Sequence, residues 1–417
     1  MDAANPVFNE AAQGPERMQE RLYHDLLAPD EVARVRAEVR AFAQAHVAPR
    51  AWDIGHTEEA QDAFAWDVFR AMGKAGLFEI PFAAEQGGRG LAFRTAATAV
   101  AIEELAYVSN SIAAVYDVHC ILAGHALEQA SPELRLRYLE PLIAGDVVGC
   151  FATTEPEAST DLSVGAMGTW LEEDGEYLAV SGHKRWITNS PVAGFVVLLC
   201  RDGERMTEVV VDLDAEGVRV GRPDRKIGNH GQLTADIYLD RVRVPRTNVI
   251  GRRGDGLRIA LQTLTYGRIG IAASGVGMAQ AVFDQCVHRL KSRRVFGKAL
   301  AQFQHWQFRM AERATEIENA RNLYMKAALR MDAGVAFPEP EAGMAKWYAT
   351  NLAGEFAREG VQIFGGYGFM RELSHDGSRY KVEEIYRDSK IAEIYEGANE
   401  IQKWIVARAI FGKDLTG

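Results

Sequence analysis

The chain has 417 residues, 47% of them apolar and 25% charged, with a formal net charge of −10 at neutral pH. That length exceeds the roughly 100 to 200 residues of an ordinary domain and predicts two or three packed units, and the composition is that of a chain folded throughout. The acidic balance provides no field to attract nucleic acid or anionic lipid, and Cys120, Cys150, Cys200 and Cys286 lie far apart without a CxxC pair, which argues against a zinc cage or disulfide framework and fits a reducing cytoplasm.

Residues 1–26 are polar and acidic where a secretion signal needs an apolar stretch, and are expected to form a loose tail. Behind Pro29-Asp30, Val32, Val35, Val39, Phe42 and His46 recur at helical spacing and open an all-α unit expected over 27–148. From 149 to 250 the texture becomes β. Asp174-Gly175 and Asp202-Gly203 are hairpin signals between alternating segments, and 192–200 reads as a buried strand, well short of the 18 or so apolar residues that span a bilayer. Helix returns over 251–417. There the small residues of GIAASGVGMAQA suit close packing, a long helix is expected over 303–331, and 335–340 is a break. Another helix runs from about Met344 to Gly365-Gly366, and a last one follows Asn399, read as its N-cap. The order is helices, sheet, helices, without an internal repeat.

This layout lacks the usual nucleotide and hydrolase signatures: no GxGxxG after a strand, no GxxxxGK[ST], no GxSxG, no HExxH and no metal-spaced His/Asp/Glu cluster. Six local motifs remain. They are Phe151-Ala152-Thr153-Thr154-Glu155-Pro156 running to Thr160-Asp161; Lys184-Arg185-Trp186-Ile187-Thr188-Asn189; Lys226 to Thr234, continuing to Val242-Arg243-Val244-Pro245; Arg293 to Lys298 with Phe303-Gln304; Gln362 to Phe369; and Ile391 to Gln402, which holds Ile394-Tyr395-Glu396-Gly397-Ala398-Asn399-Glu400. Singly, each has an ordinary structural reading: a polar interdomain loop, a packed Trp, a solvated basic turn, a Gly-capped helix end, a solvated Glu.

Taken together, from about residue 26 to 415, they resemble the acyl-CoA dehydrogenase family. The resemblance implies an α+β fold with an N-terminal helical domain, a middle β-barrel or sandwich domain and a C-terminal four-helix bundle, with FAD as cofactor. It implies that Phe151, Ala152, Thr153, Thr154 and Thr160 meet the flavin pyrimidine edge through backbone N–H and hydroxyl donors, which suit an anionic ring without burying a counter-charge. Trp186 and Ile187 would pack beside the isoalloxazine, and Thr188 would hydrogen-bond its N5. Arg293, Phe296, Gln304, Gln362, Gly365 and Gly366 would reach a neighbouring subunit's FAD, Arg293 through a planar donor fork suited to phosphate. Ala398, Asn399 and Glu400 would add further cofactor contacts, and Thr160, Arg268 and Gly397 would contact substrate.

By the same resemblance Glu396 is the base that removes the α proton of an acyl thioester. Some members carry the base at the position of Gly267, which has no side chain to do so. Bound substrate should exclude water and raise the carboxylate above its usual pKa of about 4.3. The implied partners are acyl-CoA or an acyl-carrier-protein thioester, an electron-transfer flavoprotein, and further copies of the chain in a dimer-of-dimers tetramer. A flavin oxidase or monooxygenase on the same fold, acyl-CoA oxidase or nitroalkane-oxidase-like, and a non-catalytic interaction protein are the alternatives. The sequence departs from the family pattern at Ser159-Thr160 (usually Gly-Ser), at His230, Gln232, Thr265 and Ala299, and in a longer loop over 372–381. Residues 110–122 are expected to border the acyl pocket; they include Tyr116, Asp117 and His119 among apolar neighbours and hold no Arg for a distal carboxylate.

Overall fold

The computed structural model describes Arg17 and residues 28–416; apart from Arg17, the expected tail at 1–26 lies outside the described residues. Helices of seven residues or more are numbered in chain order. The first is α1 (Asp30–Phe42), whose Val32, Val35, Val39 and Phe42 are buried as their spacing requires; His46 falls beyond it in a wider π-helical turn, which shifts the register and leaves it exposed. It is followed by α2 (Trp66–Lys74), α3 (Arg94–Val108) and α4 (Asn110–Tyr116). The α4 helix runs on without a break into wider π-helical turns over Asp117–Gly124. Both α3 and this extension are buried on nearly every side, which explains why their sequences lack a polar stripe.

The middle unit contains β1 (Gly149–Ala152), β2 (Trp170–Asp174), β3 (Tyr177–Thr188), β4 (Phe195–Asp202), β5 (Arg205–Asp212), β6 (Val218–Val220) and β7 (Thr234–Pro245). The order across the sheet is β1-β4-β2-β3-β7-β6, with β5 on the other side of β4. Both Asp-Gly pairs form hairpins, with Gly175 and Gly203 at positive φ where the turns need it. Only Trp170 opposite Arg201 joins β2 to β4, so the sheet curls at this joint around its own apolar core of Val196, Leu198, Val209, Val211, Ile237 and Val242.

A bulge in β3 positions one site residue. Lys184 faces Ile237 and Ile187 faces Ala235, so β3 holds one residue more than β7 between these pairs. Trp186 sits in that bulge at φ 56° and is turned outward, 61% exposed.

The last unit is built on α5 (Gly256–Ser292), a helix of 37 residues, with α6 (Gln304–Asp332), α7 (Glu341–Phe364), α8 (Val382–Ala392) and α9 (Asn399–Phe411). Helix α5 packs on α7 and α6 and also on α3, so the two helical units share one apolar core. Across that seam Arg36 and Arg321 both bind Glu103, at 3.0 Å each, and Tyr324 donates to it. Burial works to raise Glu103, but the two guanidinium charges and the Tyr324 hydroxyl bring it down to about 2.

The start of α9 differs from the sequence reading. Ala398 is the N-cap and Asn399 is the first helical residue. The Asn399 side chain turns inward, accepting from Lys346 Nζ at 3.1 Å and donating to Thr350 Oγ1 at 3.0 Å, because a buried lysine there needs oxygens more than the exposed helix end needs a cap. All four cysteines are buried and unpaired. Among the described residues no helix is long and apolar enough to cross a membrane, and no His/Cys/Asp/Glu group could hold a metal.

Glu208 on β5 is fully buried with neither carboxyl oxygen hydrogen-bonded. Burial, only partly offset by Lys184, pushes it from 4.5 up to about 8. The folded chain therefore holds a proton that the unfolded chain releases, and stability falls as pH rises between those two values. Glu208→Gln is expected to remove this slope, giving a Tm advantage over wild type that grows from pH 5 to pH 8 and reaches roughly 2 °C or more. A Tm difference independent of pH would contradict it.

Candidate active site

A cavity of about 890 Å³ lies where β1, β3, α5 and the α8–α9 connection converge. Thr153, Thr154, Trp186 and Thr188 line its sheet side, Leu257, Leu261, Leu264 and Arg268 its α5 side, and Glu396 and Gly397 close it. The α5 residues recur at intervals of three and four, one stripe of a helix.

Two of the motifs are tied together on the sheet side. The Lys184 ammonium is buried against Glu155 Oε1 at 2.8 Å and the Thr153 carbonyl at 3.2 Å, and the Arg185 N–H donates to the Thr154 carbonyl at 2.9 Å. Glu155 in turn accepts from the N–H groups of Gly168 and Thr169. This framework sets the Thr153-Thr154 backbone beside the bulge that projects Trp186. Gln232 Nε2 donates to Thr188 Oγ1 at 2.6 Å, which leaves the Thr188 hydroxyl proton free to donate into the cavity.

Glu396 and Gly397 both have positive φ, 54° and 88°. For Glu396 that backbone is strained by about 1 kcal/mol or more, and a lattice of hydrogen bonds maintains it. Arg268 Nε donates to the Glu396 carbonyl at 3.4 Å while its Nη1 binds Glu339 at 2.6 Å. Lys346 Nζ and Gln402 Nε2 donate to the Gly397 carbonyl at 3.1 and 2.8 Å. Burial drives Lys346 down to about 7, with the Glu396 charge working against it. Burial raises the Glu396 carboxyl above its ordinary value, against the opposing pull of Asp117, Lys346 and Arg268.

A second, shallower cavity of about 610 Å³ is lined by Arg289, Arg293, Gly365, Gly366, Tyr367 and residues of the 372–381 loop, among them Leu373 and His375. Neither glycine has a neighbour where a Cβ would stand, so the backbone there is open to an incoming group.

Three domain families match consecutive stretches: acyl-CoA dehydrogenase N-terminal domain over 29–146, middle domain over 150–242 and C-terminal domain over 254–411. The chain belongs to the acyl-CoA dehydrogenase family. It is thus an FAD-dependent flavoprotein oxidoreductase. It is 35% identical to a short-chain-specific acyl-CoA dehydrogenase of Clostridium acetobutylicum over 90% of this chain and 97% of that protein. It is 34% identical to the caffeyl-CoA reductase-Etf complex subunit CarC of Acetobacterium woodii, over 91% of this chain and 98% of that one. Butyryl-CoA dehydrogenase from Megasphaera elsdenii has the same fold, with a TM-score of 0.86 and 29% identity over 93% of this chain and all of that one.

Of the residues singled out in the sequence of this dehydrogenase, Phe151, Thr153, Thr154, Thr160, Trp186, Ile187, Thr188, Arg268, Glu396 and Gly397 line the main cavity. Arg293, Gly365 and Gly366 line the second. The others border neither: Ala152 lies in the sheet core, Asn399 is buried on Lys346, Ala398 caps α9, and Phe296, Gln304, Gln362 and Glu400 are exposed. From 110–122 only Val118 and Leu122 reach the cavity. Tyr116 donates to the Leu77 carbonyl, and His119 accepts from the Gly149 N–H through Nδ1 while its Nε2 bonds the Leu142 carbonyl. His230 is paired with Glu59 at 3.0 Å. Sequence reasoning assigned no site role to Gln232, Glu339, Lys346 or Gln402, whose partners are reached only by folding.

Gly267 faces Glu396 directly: a Cβ there would stand 1.9 Å from Glu396 Oε2 and 2.9 Å from Leu122 Cδ2. Alanine is otherwise favoured over glycine in a helix by about 1 kcal/mol. Gly267→Ala is therefore expected to keep the Tm near wild type while displacing the carboxylate, slowing thioester-driven flavin bleaching by about 10²-fold. Wild-type bleaching in a normally folded variant would show that the carboxylate position does not matter.

Proposed function

We propose that the protein catalyses α,β-dehydrogenation of an acyl-CoA thioester to the trans-2-enoyl thioester, with Glu396 as the base for the α proton and an electron-transfer flavoprotein as electron acceptor. The observation that carries this reading is the Glu396 carboxyl, held on a strained turn at the wall of the same cavity as Trp186 and Thr188. FAD fits the lining: Trp186 offers an exposed aromatic face, Thr153 and Thr154 line the wall beside it, and Thr188 has a hydroxyl proton free to donate. When bound, FAD supplies the hydride acceptor for the β carbon.

The chain's own residues do the rest. The thioester enters along the apolar α5 stripe of Leu257, Leu261 and Leu264, displacing water from the cavity. Arg268, Lys346 and Gln402 fix the turn so that the carboxylate meets the α C–H at a set position. Glu396 takes the proton, and its backbone N–H, by resemblance to the family, donates to the thioester oxygen as charge develops there. The absence of Arg between 110 and 122 and the apolar Val118 and Leu122 favour an uncharged acyl group. A flavoprotein acceptor is supported by the similarity to a subunit named for its Etf complex. Four reduced, buried cysteines suit the cytoplasm.

Glu396→Gln keeps size and much of the hydrogen bonding but leaves no carboxylate to take the proton. FAD is expected to stay bound and a thioester to perturb its spectrum still, while stopped-flow flavin reduction falls at least about 10²-fold. Near-normal reduction would mean another base or another reaction.

The second cavity supports a shared cofactor site, in which Arg289 and Arg293 beside the open Gly365-Gly366 backbone receive the FAD diphosphate of a partner subunit. Phe296 and Phe369, 96% and 77% exposed, suit burial in such an assembly, a dimer or the dimer-of-dimers tetramer. Arg293→Ala is expected to lower FAD occupancy with the helical circular dichroism retained. A monomer in light scattering with full FAD absorbance would overturn the shared site.

A further inference from the structure

Directly behind Glu396 lies a second carboxyl that neither the family motifs nor the cavity lining includes. Asp117 begins the π-helical extension of α4 and is 1% exposed, and neither of its oxygens has a hydrogen-bond donor from any other group; Glu396 Oε2 is equally shut off and undonated. The two side chains are within hydrogen-bonding reach of each other. Their seats on α5 are complementary. A Cβ at Gly267 would strike Glu396 Oε2 at 1.9 Å, and one at Gly270 would strike Asp117 Oδ1 at 2.2 Å. Positions three apart are neighbours on one helix face, so two missing side chains make adjoining hollows for two carboxyl heads.

Beside the carboxyls, the nearest neighbours of the two hollows are apolar: Leu122 at Gly267, and Ile102 and Ile121 at Gly270. The nearby cations are engaged elsewhere: Arg268 of α5 binds the Glu396 carbonyl and Glu339, and Lys346 of α7 binds the Gly397 carbonyl and Asn399. Of the remaining titratable groups, Tyr116 and Cys120 share the Asp117 segment and Tyr395 adjoins Glu396; all three are held in their neutral forms by burial first, with Asp117 adding to this for Cys120 and Glu396 for Tyr395. Two carboxylates in contact in a dry site cannot both ionise, and the only hydrogen available to join them is a carboxyl proton.

We propose that Asp117 is the positioning residue for the Glu396 carboxylate: the pair shares one proton, and neutral Asp117 donates it to Glu396. The pair has one negative charge before proton abstraction and none after it, when Glu396 has gained the α proton and Asp117 has kept its own. Burial and the Glu396 charge both hold Asp117 in the acid form, and its hydrogen bond favours the ionised form of Glu396. This assignment rests on the reading of Glu396 as the base.

Two measurements on the FAD-loaded protein test it. Infrared difference spectra of resting wild type minus Asp117→Asn at pH 8, without thioester, should show the carbonyl stretch of a neutral carboxylic acid that the variant lacks; Glu208 is common to both and cancels. The pH profile of flavin reduction should then separate a donor from a filler. Asp117→Ala removes the donor and moves the acid limb upward, so reduction well below that limb falls about tenfold for each unit of pKa. Asp117→Asn, which keeps an N–H donor and the shape, should restore the limb to within a few tenths of a unit of wild type. The absence of a neutral-acid band, or acid limbs of both variants coincident with wild type, would overturn the shared proton. If the band is present but no thioester bleaches the flavin, the pair stands and the proposed reaction falls.

Discussion

The site depends on how closely other groups can approach one buried helix. Helix α5 is covered by α3, α6 and α7, and its small residues decide what lies against it. At Gly275 an added Cβ would stand 2.9 Å from the Ala349 backbone of α7, and at Gly277 it would stand 2.3 Å from the Glu103 carbonyl of α3. A methyl at either place would push two helices apart in a core packed like a crystal. The same lack of side chains one and two turns earlier leaves room for the carboxyls of Glu396 and Asp117. Packing of the two helical units and placement of the candidate base are thus one geometric requirement, imposed along a single helix.

Buried charge then fixes what packing alone would leave loose. Arg36, Arg321 and Tyr324 converge on Glu103 at the seam between the helical units, and removing Glu103 would strip two buried guanidinium groups of the counter-charge they share. Around the cavity the pattern differs, because Arg268 and Lys346 direct their hydrogen bonds at the carbonyls of Glu396 and Gly397 rather than at the carboxylate. Cations placed in this way hold a left-handed turn against its backbone strain without neutralising the group it presents. A direct ion pair to the Glu396 carboxylate would hold it just as firmly but make it a poorer base.

The order of helices, sheet and helices was legible because it rests on local signals: apolar spacing in α1, Asp-Gly turns in both hairpins, small residues along α5. Residues of the cavity wall were legible where a motif was contiguous, as in Thr153-Thr154, Trp186 to Thr188 and Glu396-Gly397. Asn399 was misjudged as a cap because capping is a local rule, and a buried lysine from α7 claimed its side chain. Nothing local marks the extra residue at Trp186, since a bulge is defined by the partner strand's register. Asp117 was visible as a polar residue in an apolar helix. Its facing of Glu396 depends on two glycines in a third segment, and the sequence places none of these side by side.

In the proposed reading, the two cavities would divide the work of holding a long cofactor. In the main cavity a single chain supplies the stacking face of Trp186, the Thr188 hydroxyl, the Glu396 turn and the apolar stripe of α5. Arg289, Arg293 and the open glycine backbone lie in a separate, shallower cavity built by the ends of α5 and α7 and the 372–381 loop. The exposed Arg293 guanidinium contributes little until a phosphate desolvates it, while Arg289 is already buried against Phe364 and Tyr367; both present a planar donor fork. If the diphosphate they receive belongs to a partner's cofactor, each FAD is retained only while two chains are associated, and each association is strengthened by the FAD it encloses. Cofactor content and oligomeric state would then rise and fall together, although the residues assigned to the chemistry all belong to one chain.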